Sequence, residues 1–355
     1  MMKKNALILI SLCSIGLLTA QQPFTTFLIG DAGNTAVPNK TLLSLKRQLD
    51  TTPNSIVFFL GDNIYPQGLD GSPEAEQKLR AQLSILKDYK GEWIFIPGNH
   101  DWKAGLWKGY SCILRQQRFI EQYAKDSFAD KPYRFNHFYP TGGFPGPDNV
   151  DIGNASFIIT DTDWWIQRQF FHKVGKTDTY KKMETAYLHR LDSLLTLAEK
   201  SKKTPVFLTH HPLVTYGYHS KSREPWRFLN NYTPFQIFGL LGVNRALLSD
   251  IKQPRYRRMA DKLLTVLKKH TPYICAAGHE HNLQHIVQDS AAYVISGAGS
   301  KLKPIPDKSK NIAALHFGQS VSGFMTLSFS SETPPKLLVF DENGQVIYSA
   351  KNVWQ

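Results

Sequence analysis

Cysteine is scarce in this chain of 355 residues: three in all, Cys13, Cys112 and Cys275. That count excludes a disulfide scaffold. Acidic residues are short as well, with 29 Asp and Glu against 42 Lys and Arg and a formal net charge of +13. A basic surface attracts anionic substrates, nucleic acid or anionic membranes. The densest basic stretch, residues 251–270, reads from Tyr256 onward as an amphipathic helix with Met259, Leu263, Leu264 and Leu267 on its apolar side. No helical DNA-reading motif, zinc finger or stacking-aromatic signature accompanies it, so no specific nucleic-acid recognition is expected. Long apolar runs are missing too. Asn5 to Thr19 is apolar, but it is shorter than the ~20 residues that span a bilayer. Lys3 and Lys4 precede it and Ala20 follows, which reads as a secretory signal peptide cut after Ala20 rather than a membrane anchor. The mature chain is then secreted or periplasmic, with no transmembrane segment. It keeps 40 basic against 29 acidic residues, and only Cys112 and Cys275. Leu12 stands before Cys13 where a lipoprotein signal wants a small residue, which argues against lipid anchoring.

What the chain has in quantity is short apolar runs that end in polar turns. They begin at Phe24, Ser55, Glu92, Ala155, Thr204, Pro272 and Ala291. Continuous Ile, Val, Phe and Leu without alternation suit strands buried on both faces. Helical patterns over Lys40–Asp50, Pro73–Lys87, Tyr180–Ser201 and Tyr256–His270 fall between them, which predicts an α/β sandwich. Near the end, Asn343-Gly344 sits between two strand runs and predicts a hairpin. The segments 123–154 and 221–255 read as long ordered loops. The second carries Trp226, Phe228, Tyr232, Phe235 and Phe238, which cover the core or line a cleft. There is no internal repeat and no low-complexity tract.

Gly278 to His285 reads GHEHNLQH. By itself this is either a metal-ligating turn or a polar turn that happens to be rich in histidine. The other strand ends bear on the choice. Asp31 follows the first run, Asp62 and Tyr65 the second, Asn99 and His100 the third, His210 and His211 the fifth, and His279 and His281 the sixth. In α/β sheets functional groups gather beyond the carboxyl ends of the strands. Oxygen and imidazole donors without thiolate favour iron, manganese or zinc. Two cations about 3.5–4 Å apart need a bridging carboxylate, and Asp62 can serve as one.

At this point the sequence resembles the calcineurin-like metallophosphoesterases, and within them the purple acid phosphatases, most nearly the small, animal-type, tartrate-resistant enzymes. The resemblance lies in Gly30-Asp31-Ala32-Gly33, Gly61-Asp62-Asn63-Ile64-Tyr65, Gly98-Asn99-His100-Asp101, His210-His211-Pro212 and Gly278-His279-Glu280-His281. It implies a four-layer α/β/β/α sandwich over residues 21–355, with the active site at the C-terminal ends of the strands and an aromatic and basic insertion at about 220–270. It also implies that Asp31, Tyr65 and His281 bind a first metal, usually Fe(III), and that Asn99, His210 and His279 bind a second, Fe(II), Zn(II) or Mn(II). Asp62 would bridge the two, His100 would contact the phosphate, and His219 would act as the acid. His211 receives no role. The implied reaction is hydrolysis of phosphomonoesters, on small molecules or proteins, by a hydroxide acidified by the cations. The motifs leave open a phosphodiesterase or nucleotide pyrophosphatase on the same site, and a non-catalytic basic binding protein on this scaffold. Ala32, Asn34 and Trp102 depart from the family's pattern, Trp102 at a position where animal enzymes tend to have histidine.

Overall fold

Runs rich in β-branched and aromatic residues pair into sheets because such side chains fit a pleated, buried surface. In the computed structural model, residues 22–106, 108–127, 134–141, 145–166, 177–220, 253–309 and 311–355 are described. The expected leader, residues 1–20, and most of the aromatic segment within 221–255 lie outside them. Thirteen strands occur among the described residues: β1 Phe24–Ile29, β2 Ser55–Leu60, β3 Glu92–Ile96, β4 Asp148–Ile152, β5 Ala155–Ile159, β6 Thr204–Leu208, β7 Tyr273–Ala277, β8 Leu283–Gln288, β9 Ala291–Ser296, β10 Leu315–Gln319, β11 Gly323–Phe329, β12 Lys336–Asp341 and β13 Val346–Ala350. They form a six-stranded sheet in the order β13-β12-β11-β1-β2-β3 and a seven-stranded sheet in the order β10-β8-β9-β7-β6-β5-β4. In the first, β1, β2 and β3 are parallel; in the second, β5, β6, β7 and β9 are.

Alternation along each strand divides the core. Ile56, Phe58 and Leu60 of β2 meet Phe157, Ile159, Val206 and Ile274 of the other sheet in the layer between the sheets, where Phe58 and Phe157 hold ring centroids 4.9 Å apart. Val57 and Phe59 point the other way and cluster with the helices. The helices are α1 Lys40–Asp50, α2 Pro73–Ser84, α3 Gly109–Ser127, α4 Asp163–Ile166, α5 Thr177–Lys200 and α6 Pro254–Leu267. Leu42, Leu45 and Leu49 of α1 and Leu79 and Leu83 of α2 are buried, as are Leu191 and Leu195 of α5 and Met259, Leu263 and Leu267 of α6. The result is the expected α/β/β/α sandwich. Among the described residues no helix is long and apolar enough to cross a membrane.

Several boundaries differ from the sequence reading. Helix α2 stops at Ser84, short of Lys87, because the Leu86 N–H closes back on the Leu83 carbonyl in a tight turn at 3.1 Å. The segment 123–154 is not one long loop: it opens inside α3 and closes with the edge strand β4. The apolar side of α6 is as expected, with Leu264 only partly buried. The hairpin is present as β12 and β13, with Gly344 at φ 87° in its turn.

One buried histidine couples the fold to pH. The Nε2–H of His285 donates to the Val353 carbonyl (2.8 Å), and its Nδ1 accepts from the Tyr348 hydroxyl (3.0 Å). Its ring lies 5.6 Å from that of His316. The neutral ring is fully satisfied. Burial, with a smaller push from His316, lowers its pKa from 6.5 to about 4. The unfolded chain therefore takes up the proton first as pH falls, so this contribution to stability is complete above about 6.5 and is lost on the way down to about 4. Wild type should lose about 2–3 kcal/mol more than His285→Gln between pH 7 and pH 4, by urea midpoints. Parallel losses in the two proteins would remove His285 as the cause.

Candidate active site

The parallel strands of both sheets end on one side, and each passes into a tight turn that carries polar residues. The turns are tied together by backbone bonds: Asp31 N–H to the Gly61 carbonyl (2.9 Å), Gly278 N–H to the His210 carbonyl (3.1 Å) and Gly30 N–H to the Ser296 carbonyl (2.7 Å). The sheets come so close here that a β-carbon on Gly30 would stand 2.9 Å from the Gly278 α-carbon, so only glycine fits. Asp31, Asp62, His279 and His281 all adopt left-handed backbone, at φ 59°, 54°, 71° and 54°. Each such residue costs on the order of 1 kcal/mol or more, and strain of this kind concentrates at functional sites.

Two groups of donor atoms result. In the first, Asp31 Oδ1 lies 2.7 Å from the Tyr65 hydroxyl and 3.3 Å from His281 Nε2, and those two are 3.1 Å apart. In the second, Asn99 Oδ1 lies 3.1 Å from both His210 Nε2 and His279 Nδ1, which are 3.3 Å from each other. Asp62 stands between the groups. Its Oδ1 is 3.4 Å from His210 Nε2, and the carboxylate also interacts with the Tyr65 hydroxyl. All seven residues are buried, the most exposed being His281 at 9%.

The donor chemistry fits cations. His210 gives its Nδ1 proton to the Leu60 carbonyl at 2.8 Å, so its Nε2 presents a lone pair to Asn99, Asp62 and His279. With His279 in the tautomer that leaves Nδ1 unprotonated, three lone pairs face one another in a buried site, an arrangement that suits a shared cation. Two donors that each sit 2.0–2.1 Å from one metal lie about 3.0–3.4 Å apart, which matches the second group throughout. Burial would raise the Asp62 pKa, but His210, His100 and the His100 N–H outweigh it and bring it from 3.8 down to about 2. The Tyr65 phenol is pushed well above 10, by burial and then by the charges of Asp31 and Asp62. Only a strong cation beside it would make it a phenolate.

The two expected catalytic histidines flank these groups. His100 Nδ1–H donates to the Pro66 carbonyl (2.6 Å), which leaves Nε2 3.9 Å from Asp62 Oδ2. The His219 backbone N–H donates to Glu280 Oε2 (3.0 Å), and its ring centroid lies 4.5 Å from that of His279. The structure thus brings together all nine residues singled out in the sequence. His211 is buried next to them, its pKa held well below 6.5 by burial and by neighbouring His210. It bonds Thr162 Oγ1 through Nδ1 at 2.9 Å. Its ring nitrogen comes within 4.8 Å of those of His210 and His279, but it is His210 that meets Asn99.

Sequence reasoning gave Asp101 no role. Its buried carboxylate accepts the N–H groups of Gly98 (2.8 Å), Asn63 (3.1 Å) and Ile64 (3.1 Å) and the Asn63 side-chain amide (3.1 Å). It locks the turn after β2 to the turn after β3, and its place one residue after His100 was the available signal. Trp102, the departure from the family pattern, is buried and donates its indole N–H to Asp161 at 2.8 Å. That carboxyl is raised to about 8 by burial.

A model of the calcineurin-like phosphoesterase family matches residues 25–283. Purple acid phosphatase 7 of Arabidopsis thaliana is 23% identical over 333 residues, which cover 90% of this chain and 83% of the relative. Purple acid phosphatase 17 of the same plant is 21% identical over 340 residues, covering 90% and 81%. Among solved structures, GAP50, the anchor in the inner membrane complex of Plasmodium, superposes with a TM-score of 0.60 at 18% identity, covering 93% of this chain and 88% of that one. Purple acid phosphatase PPD1 from yellow lupin (Lupinus luteus) seeds superposes with a TM-score of 0.58 at 17% identity, covering 93% and 53%. These two superpositions bear on the fold, and the family match bears on the chemistry. With its dimetal donor set and the matched span, the chain belongs to the calcineurin-like phosphoesterases as a metal-dependent phosphoester hydrolase homologous to the purple acid phosphatases.

Proposed function

We propose that the protein is an acid phosphatase that hydrolyses phosphomonoesters, with Asp31, Tyr65 and His281 holding one cation, Asn99, His210 and His279 the other, and Asp62 shared. The observation that carries this reading is the position of Asp62, in reach of Tyr65 in one donor group and of His210 in the other. When bound, the cations neutralise the phosphate and acidify the attacking water. The chain's own residues do the rest. Asp62 orients the turn after β3 by accepting the His100 N–H at 2.8 Å. His100, partly exposed and fixed through Nδ1, presents Nε2 toward the phosphate. His219, whose ring lies against that of His279, would give a proton to the leaving oxygen. The test compares p-nitrophenyl phosphate with bis(p-nitrophenyl) phosphate after metal loading. Faster hydrolysis of the monoester is expected; faster hydrolysis of the diester would replace this reading with a phosphodiesterase.

Two variants separate the roles. A poor leaving group needs protonation and a good one does not, and a placed acid is worth about 10²–10⁴-fold. His219→Ala should therefore lose about 10²-fold more rate on an alkyl phosphate than on p-nitrophenyl phosphate. Equal losses would remove His219 from the acid role and leave His100. The first cation is proposed to be Fe(III), because a buried phenol next to two carboxylates becomes an anion only beside a hard, strongly charged ion. Iron-loaded, oxidised protein should then show a broad visible band that Tyr65→Phe abolishes while iron is retained. A colourless iron-loaded wild type would refute the ferric phenolate.

A further inference from the structure

The turn after β9 carries two lysines that none of the proposed roles uses. Lys301 and Lys303 are both half-buried, on a segment bolted to the site. Lys303 N–H donates to the His281 carbonyl (2.8 Å), Gly299 N–H to the Gly30 carbonyl (3.1 Å), and Ser300 Oγ to the Asp31 carbonyl. Lys301 Nζ stands 3.5 Å above the centre of the Tyr65 ring, within electrostatic reach of both Asp31 and Asp62. Lys303 Nζ stands 4.9 Å over the Tyr218 ring, and Tyr218 in turn touches His219. One short segment therefore sets an ammonium on each flank of the cleft, one beside the Asp31–Tyr65–His281 group and one beside the His219–His279 group.

In a cation-loaded site these lysines have nothing left to neutralise. Asp31, Asp62 and a Tyr65 phenolate carry at most three negative charges, and two divalent cations already exceed them. Holding long, entropy-rich side chains over this centre is then costly unless something anionic arrives. The scissile phosphate is served by the cations and His100. A further anionic group on the substrate, next to the reacting phosphate, would meet an ammonium on either side.

We infer that Lys301 and Lys303 are specificity-determining residues that select substrates bearing a second phosphate beside the scissile one, such as nucleoside diphosphates, over simple monoesters. This rests on the phosphoesterase reading above. Metal-loaded full-length enzyme is assayed on adenosine diphosphate and on p-nitrophenyl phosphate. Lys301→Met should reduce kcat/KM on the diphosphate about ten-fold more than on p-nitrophenyl phosphate, one ammonium–phosphate contact being worth about that factor. The difference should lie in KM, deepen in the Lys301→Met/Lys303→Met double variant, and be restored in large part by Lys301→Arg. A merely structural role would lower both substrates together and shift the melting temperature. Equal losses on the two substrates, or no loss on either, overturns the assignment while leaving the phosphatase in place. A wild type that hydrolyses neither substrate overturns the phosphoesterase reading itself, and the assignment with it.

Discussion

Asp62→Asn should leave a folded protein that binds less metal and turns over p-nitrophenyl phosphate about 10²–10³-fold more slowly, the scale of losing one fixed charge-stabilising group. The replacement is close to isosteric, and asparagine tolerates the left-handed backbone that Asp62 adopts at φ 54° better than almost any other residue. Its side-chain oxygen can still accept the His100 N–H. What disappears is the charge in reach of His210 on one side and Tyr65 on the other. Because the Asp62 carboxyl sits near a pKa of about 2, wild type keeps this charge throughout the acidic range in which an acid phosphatase works. Metal content and turnover should fall together, with the melting temperature of the cation-free protein little changed. A variant that retains two metals per chain and full activity would show that no carboxylate is shared.

Gly98→Ala should be as damaging by a different route. A β-carbon there would collide with the backbone nitrogen and Oδ1 of Asp62 and lie 2.8 Å from the His210 ring. Those neighbours are backbone or side chains held on several sides, so something must shift. Overpacking of this kind costs about 1–3 kcal/mol, and the displaced atoms belong to the shared Asp62 and to His210 of the second donor group. The expected outcome is a lower melting temperature together with loss of the second cation and of nearly all turnover. Gly71→Ala is the control. It introduces a side chain at φ 103° but meets nothing closer than the Arg115 guanidinium at 3.6 Å, so it strains the backbone at an exposed position that touches no donor residue and should spare activity. Full metal content in Gly98→Ala would mean that the turn after β3 is looser than its contacts imply.

Much of this architecture was legible in the sequence for a physical reason. Strands covered on both faces, such as Ser55–Leu60, are apolar at nearly every position, so they stand out without any periodic signal. Helix α1 was also plain: Asn39 caps the Leu42 N–H at 2.9 Å, and its leucines recur at helical spacing. Helix α3 was not, because its buried stripe includes Gly109, Cys112, Gln116 and Ala124, which read as polar or small. The edge strand β4 buries only Val150, with Ile152 partly buried, among two aspartates and an asparagine, so its apolar signal was too short to announce it. At the site, residues that carry donors toward the cleft were recognisable by type and by position after strands. Asp101 and Asp161 were not, because a buried carboxylate that accepts N–H groups looks the same in sequence as an exposed one. Lys301 was equally silent, since its meaning comes from Tyr65, which is remote in sequence and 3.5 Å away in space.

The two donor groups share a property that follows from where the sheets meet. Asp31, Tyr65 and Asn99 come from the first sheet, and His281, His210 and His279 from the second. On the proposed ligand assignment, each bound cation would therefore fasten one sheet to the other. A chain whose Cys112 and Cys275 are both free and buried has no covalent staple across its layers among the described residues, and the cations would act as one, reversibly and at a single edge. Loading should slow amide hydrogen exchange in the turns after β1, β2, β3, β6 and β7 while leaving the opposite strand ends unchanged. Chelation would then act like the reduction of a disulfide, loosening the sandwich at its catalytic edge before the rest of the fold responds.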